Sequence, residues 1–368
     1  MSLPAFTGAL EDFYRVPQPL PIGEPGDVIR VQPLADPPRA SADRATASVR
    51  VMYHSRDAQN HDRAVTGTIT YPTTVAPAGG WPVVAWAHGT TGLTSICAPS
   101  RRAGSAPSFG VDGVRVATDY IGLGPIGERH AYLSGASEAH SVIDIVRAAR
   151  HVPEANAGSR WVAIGHSQGG HAALFTNELG KAYAPELELL GTVVVAPAAV
   201  LDRTFGPADQ IVPRMVGLMA LYGLATDHPD LKPIDYVGVE VAARAGVIDE
   251  KCTKEVVQQM FPISPDTFYK HDPSATEPAR SILLANDPGH VKVDAPMLLV
   301  YGSADSWVVP ERVHFLFDQL CRVHQVVQLE EIGGATHDSV VGQGASTITT
   351  WFHDRLAGRP APDNCEAT

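Results

Sequence analysis

Residues 165–170 read Gly165-His166-Ser167-Gln168-Gly169-Gly170, directly after the apolar run 161–164 and directly before a helical pattern. A Gly-x-Ser-x-Gly sequence between a buried strand and a helix is what a nucleophile elbow requires, because the turn is too tight for larger side chains and lifts the serine hydroxyl clear of the sheet. A serine hydroxyl is a weak nucleophile unless a base takes its proton and an acid orients that base. The pattern therefore demands an acid and then a histidine, each in a loop after a later strand.

Both demands are met. Asp305 follows the apolar run 297–302, and His337 lies in the glycine-rich stretch 333–337 after the run 326–331. Glu330, Glu331 and Asp338 compete for the acid's role, but they lie beside the histidine's own strand. His314, His324 and His353 fall within or at the ends of helical patterns, where packed or solvated roles are expected. The order Ser167, Asp305, His337 is a nucleophile, acid and base for acyl transfer.

That chemistry also needs two N–H donors for the oxyanion. One is the residue after the nucleophile, Gln168. The other comes from His88-Gly89-Thr90-Thr91-Gly92, after the run 82–87, with Thr90 placed ahead of Thr91 as the donor. Each such donor contributes about 3–4 kcal/mol to lowering the barrier.

Two other motifs are set aside. Residues 122–127 match G-x-G-x-x-G, but Pro125 interrupts them and the next helical pattern starts about ten residues later, so a pyrophosphate would have no helix N-terminus to sit on. Asp119, at a strand end, is a candidate for the substrate pocket or, alternatively, a carboxylate bracing its own loop beside Tyr120.

The elements that must position these groups are legible in the hydrophobic pattern. Stretches 47–55 and 64–72 alternate as half-buried strands. The apolar runs 82–87, 113–119, 161–165, 191–196, 297–302 and 326–331 read as strands buried on both faces. Helical patterns cover 137–152, with Val142, Ile145, Val146 and Ala149 on one face, and 168–183, 310–323 and 345–356. Alternating strands and helices predict an α/β fold with a mostly parallel sheet flanked by helices.

The expected organisation is an N-terminal arm over 1–45, core over 46–199, a helical cap inserted over 200–290, and core with a C-terminal tail over 291–368. The cap carries the apolar helical run 211–225 and hangs over the carboxyl ends of the strands, where open α/β sheets bind ligands. Met215, Leu218, Met219 and Tyr222, with Leu221, are candidates to line a substrate pocket or, alternatively, to pack the cap itself.

With 368 residues, 44% apolar and 18% charged, the chain can build a large core. A net charge of −12 without any Lys/Arg-rich run argues against a nucleic-acid partner or a polybasic membrane anchor. No apolar stretch reaches transmembrane length, and the opening residues show no signal-peptide pattern. The sequence calls for no cofactor and no metal, and it leaves the oligomeric state open. Cys97, Cys252, Cys321 and Cys365 show no metal-type spacing; they are either two disulfides or four reduced thiols of a cytoplasmic enzyme, and a cysteine as near the tail as Cys365 is a liability unless tied down.

Residues 87–100 (AHGTTGLTSICAPS), 116–124 (VATDYIGLG), the GHSQGG elbow and the inserted cap together resemble the secretory lipase family, the yeast lipase A-like branch of the α/β-hydrolases. The resemblance covers roughly residues 12–365. It implies a serine carboxylester hydrolase, an esterase or lipase with a helical lid, acting on a small-molecule or lipid ester and often secreted. It places the nucleophile on Ser167, the acid on Asp305, the base on His337 and the oxyanion donors on Gln168 and Thr90. It also implies disulfides Cys97–Cys252 and Cys321–Cys365. The alternatives are a peptidase, amidase or acyltransferase of the same fold, or a binding protein that has lost catalysis.

Overall fold

The computed structural model describes residues 5–34, 45–102, 106–203 and 211–365. Nine strands form one sheet: β1 (Val28–Pro33), β2 (Thr46–Arg56), β3 (Asp62–Pro72), β4 (Trp81–Ala87), β5 (Val114–Thr118), β6 (Ala157–His166), β7 (Glu188–Val195), β8 (Met297–Gly302) and β9 (Val327–Ile332). Their order is β1-β2-β3-β5-β4-β6-β7-β8-β9. The first three join antiparallel and from β5 onward every pairing is parallel. This is the α/β-hydrolase architecture.

The parallel strands were expected to be buried on both faces; β8 is buried along its whole length, whereas β9, at the far edge of the sheet, is buried only at Val327. Helix Gly135–Arg150 covers one face, placing Val142, Ile145, Val146 and Ala149 in a core with Val83, Val116 and Ala163. Helices Pro310–Arg322 and Ala345–Leu356 cover the other, where Leu316, Leu320, Trp351 and Phe352 meet Val194 and Leu299.

The front of the sheet differs from the pattern read in the sequence. β2 and β3 were expected to be half-buried, yet nearly every residue in both is buried. One cause is the N-terminal arm, whose Phe13 and Tyr14 pack on Met52 and Ala64. The other is helix Gly135–Arg150, whose Ser141 carbonyl accepts a hydrogen bond from the Tyr53 hydroxyl at 2.9 Å. The arm also supplies β1, so the edge of the sheet lies within residues that the sequence read as surface wrapping.

Between β7 and β8 the described residues form helices including Ile211–Leu224, Val239–Arg244, Thr253–Met260 and Ala279–Ala285. They share a separate apolar cluster, with Leu218, Leu221, Val256, Met260 and Phe268 at its centre and Leu93, Tyr132 and Leu133 joining from the loops below. No helix among the described residues is long and apolar enough to cross a membrane.

Candidate active site

Ser167 occupies a one-residue turn between β6 and helix Gln168–Tyr183, with φ 58° and ψ −118°. A non-glycine residue held there costs on the order of 1–3 kcal/mol, so its surroundings must fix it. They do: the Ser167 N–H donates to the Val195 carbonyl at 3.0 Å. Its own carbonyl accepts from Gly170, His171 and Ala198 at 2.9, 3.2 and 3.0 Å. The flanking glycines are steric necessities. A Cβ on Gly165 would lie 1.7 Å from the Gly169 carbonyl oxygen, and one on Gly169 would lie 1.9 Å from that of Ala87.

Asp305 and His337 follow β8 and β9 and meet at the same end of the sheet. The His337 Nδ1–H donates to Asp305 Oδ2 at 2.7 Å, and both side chains are buried. Asp305 Oδ1 accepts the N–H groups of Trp307 and Val308 at 2.8 and 2.9 Å. Burial alone would raise this carboxyl's pKa, but the hydrogen bonds and His337 outweigh it and hold Asp305 below the ordinary aspartate value. Ser167 and His337 line one narrow cleft with Tyr132, Ala198, Pro213, Val216, Trp307, Val308 and Arg312. His166 packs against His337: its Nε2–H donates to the His337 carbonyl at 2.9 Å, and the two rings lie 4.6 Å apart. Burial, reinforced by His337, pulls the His166 pKa down to about 4, so it is neutral at pH 7.

Gln168 opens its helix, and its N–H has no acceptor among the described residues, as the first N–H groups of a helix do not. The Thr90 N–H likewise has none. Gly89 lets this loop close on the nucleophile, since a Cβ there would sit 3.5 Å from that of Ser167. The Thr90 hydroxyl pairs with the Tyr132 hydroxyl at 2.8 Å, which ties it to the cleft wall. Thr91 instead gives its carbonyl to the Thr253 N–H of the cap at 3.0 Å.

A polar cluster that sequence reading missed lies beneath Gln168. Its side-chain amide donates to Glu138 Oε1 at 2.8 Å and to His130 Nε2 at 2.6 Å. Glu138 Oε2 accepts from His171 Nδ1 at 2.7 Å, and His171 Nε2 donates to the Asn286 carbonyl at 2.8 Å. Acceptors at both nitrogens favour the protonated ring of His171. Burial alone would lower its pKa, but the Glu138 carboxylate and these hydrogen bonds raise it. All of this is buried, and only Glu138's place in an apolar helical pattern could have signalled it.

Other expected residues lie elsewhere. Asp119 does not line this cleft: it is buried, its Oδ2 taking the hydroxyls of Thr66 at 2.6 Å and of Ser100, and burial pushes its pKa up to about 6 despite those bonds. That is the loop-bracing role. Met215, Leu218 and Met219 are in the cap's own core, and Tyr222 packs against it under Arg129. Their helix reaches the cleft through Pro213 and Val216, on its other face. Cys97 is bonded to Cys252, and Cys321 to Cys365, so both pairs implied by the resemblance are present.

A strained serine between glycines after β6, an Asp–His pair after β8 and β9, and helices inserted between β7 and β8 are set on the α/β-hydrolase fold. The chain belongs to the secretory lipase family, whose model matches residues 111–364. A secreted triacylglycerol lipase of Malassezia globosa is 26% identical over 305 residues, 73% of this chain and 64% of that protein, so the chain spans just under two thirds of this relative. A Mycobacterium tuberculosis protein described as a probable inactive lipase is 22% identical, with 96% of this chain and 83% of that protein covered. Candida antarctica lipase A superposes with a TM-score of 0.78 at 18% identity, over 96% of this chain and 87% of that one, a likeness of fold.

Proposed function

We propose that this protein is a serine carboxylester hydrolase, an esterase or lipase working through an acyl-enzyme. The observation that carries the reading is the His337–Asp305 hydrogen bond at 2.7 Å, in the cleft that also holds the strained Ser167. His337 Nε2 takes the Ser167 proton as Oγ attacks the ester carbonyl, and the Gln168 and Thr90 N–H groups receive the oxyanion. His337 then gives that proton to the departing alcohol. Water, deprotonated by the same nitrogen, attacks the acyl-enzyme and frees the acid. Asp305 holds Nδ1–H in place and stabilises the imidazolium. An amide substrate would need the same steps, but the family and its named relatives favour esters over a peptidase, amidase or acyltransferase.

Secretion is part of the proposal. Two disulfides persist in oxidising compartments, and the Malassezia relative is named as secreted. The deciding experiment compares wild type and Ser167→Ala on p-nitrophenyl acetate, octanoate and palmitate. Turnover that falls by roughly 10⁴-fold or more in the variant supports the nucleophile, and the chain-length profile separates esterase from lipase. Wild type inert on all three, as a catalytically silent binding protein would be, sinks the reading.

A further inference from the structure

Among the described residues, Arg312 is the one strongly basic side chain lining the cleft that holds Ser167 and His337. It stands in the first turn of helix Pro310–Arg322, five residues past Trp307 on the same wall. A guanidinium has five N–H donors in a rigid fork. Among the described residues only one contact accounts for any of them, Nη2 to the Arg203 carbonyl at 3.2 Å, and no carboxylate pairs with it.

Three acids, Asp202, Asp305 and Asp287, lie near enough to favour its charge, yet none is ion-paired with it among the described residues. Asp305 spends Oδ2 on His337 and Oδ1 on two backbone N–H groups. Asp287 gives Oδ1 to the Leu201 N–H and faces His290 with Oδ2. Asp202 is exposed and makes no ion pair among the described residues. A neighbouring cation, Arg203, stacks over Phe315 at 4.1 Å and also lacks a carboxylate partner among them. Arg312 in the cleft wall and the exposed Arg203 beside it thus form a pair of cations, in a protein with net charge −12. Like charges held together repel unless an anion bridges them, and arginine forks match carboxylate and phosphate bidentately.

We propose that Arg312, with Arg203 beside it, is an anion subsite of the cleft, and that the preferred substrates are esters bearing a carboxylate or phosphate near the scissile bond. This rests on the esterase reading above and narrows its substrate class. The fully neutral esters a triacylglycerol-type pocket would take are then the poorer substrates.

The test pairs substrates that differ only in charge: mono-4-nitrophenyl glutarate against its methyl ester, and 1-acylglycerol 3-phosphate against 1-acylglycerol. The expected result is a higher kcat/KM for one or both charged members in wild type. In Arg312→Gln the charged-to-neutral ratio falls by about 10- to 100-fold, the range of a charge-assisted hydrogen-bonded pair, while Arg312→Lys falls less. The glutarate and phosphate pairs tell which anion is recognised. Wild type that cleaves the neutral members and discriminates against both charged ones overturns the subsite and leaves the esterase reading standing. A ratio unmoved in Arg312→Gln also overturns it. Calorimetry with Ser167→Ala protein and methyl hydrogen glutarate reads binding without turnover. Binding there, in a protein whose wild type cleaves nothing, keeps the subsite and overturns the esterase reading.

Discussion

Glu138 and His171 form a fully buried ion pair, Oε2 to Nδ1 at 2.7 Å, one helical turn beyond Ser167. Glu138 also receives the Leu133 N–H and the Gln168 side chain, so a single carboxylate fixes the start of the helix that follows Ser167. Glu138→Gln leaves a buried imidazolium without its counter-charge, and the expected loss is about 3 kcal/mol or more of unfolding free energy. The pH dependence has a definite sign. Burial opposes the His171 charge, yet Glu138 raises its folded pKa above the ordinary histidine value. The stabilisation is therefore complete below about pH 6.5 and is lost as pH rises through the raised folded value. Denaturant midpoints across pH 6 to 10 should fall in wild type and flatten in Glu138→Gln.

Asp305→Asn should keep the fold and lose the chemistry. The asparagine oxygen can still accept the Trp307 and Val308 N–H groups, but its NH₂ then faces His337 Nδ1. The imidazole must carry its proton on Nε2, the nitrogen that has to take the proton of Ser167. A drop in kcat of about 10³- to 10⁴-fold with little change in KM or Tm is expected. A variant that retains kcat would move the acid's role to Glu330, Glu331 or Asp338.

The elbow glycines separate close packing from mere glycine preference. Gly169→Ala drives a Cβ against the Ala87 carbonyl oxygen of β4, a backbone atom that cannot swing aside. It should cost about 3 kcal/mol or more and abolish turnover. Gly246→Ala is the contrast: φ is −55°, and nothing lies within 4 Å of the added carbon. There a gain of about 0.4–1 kcal/mol is expected from the stiffer unfolded chain. Paired denaturation curves read both.

The local rules carried far because the chemistry here is built on strand ends. A Gly-x-Ser-x-Gly after an apolar run is a covalent signature of one turn, and Asp305 and His337 each lie within a few residues of their strands. What depends on who packs against whom stayed hidden. β1 needed the pairing of Val31 with Val51, 20 positions away, before it was a strand at all. The cap helix showed its apolar residues but not which face turns inward, so Met215 went to the cap core and Val216 to the cleft. Glu138 and Arg312 lie in stretches that the sequence marks only as helical, 137–152 and 310–323, and only the folded chain makes one a buried anchor and the other a cleft wall.

The two disulfides should differ in what they do for activity. In the loop-entropy picture, Cys97–Cys252 spans 155 residues and contributes about 5 kcal/mol, and Cys321–Cys365 spans 44 and contributes about 4 kcal/mol. Replacing either pair with serines should therefore lower Tm. Their positions diverge. Cys97 lies just past the loop that carries Thr90, and Cys252 starts the cap helix Thr253–Met260. The same junction holds the Gly92–Cys252 bridge and the Thr253-to-Thr91 hydrogen bond. Cutting that bond loosens the oxyanion loop and the cap together, so kcat/KM should fall about 10-fold as donor geometry degrades. Cys321 and Cys365 instead fasten the tail along β9, where the Asn364 N–H reaches the Val327 carbonyl. Cys321→Ser/Cys365→Ser should lose Tm while kcat/KM at 25 °C stays within about twofold. Equal activity losses in the two double variants would mean that the first bond acts only through global stability.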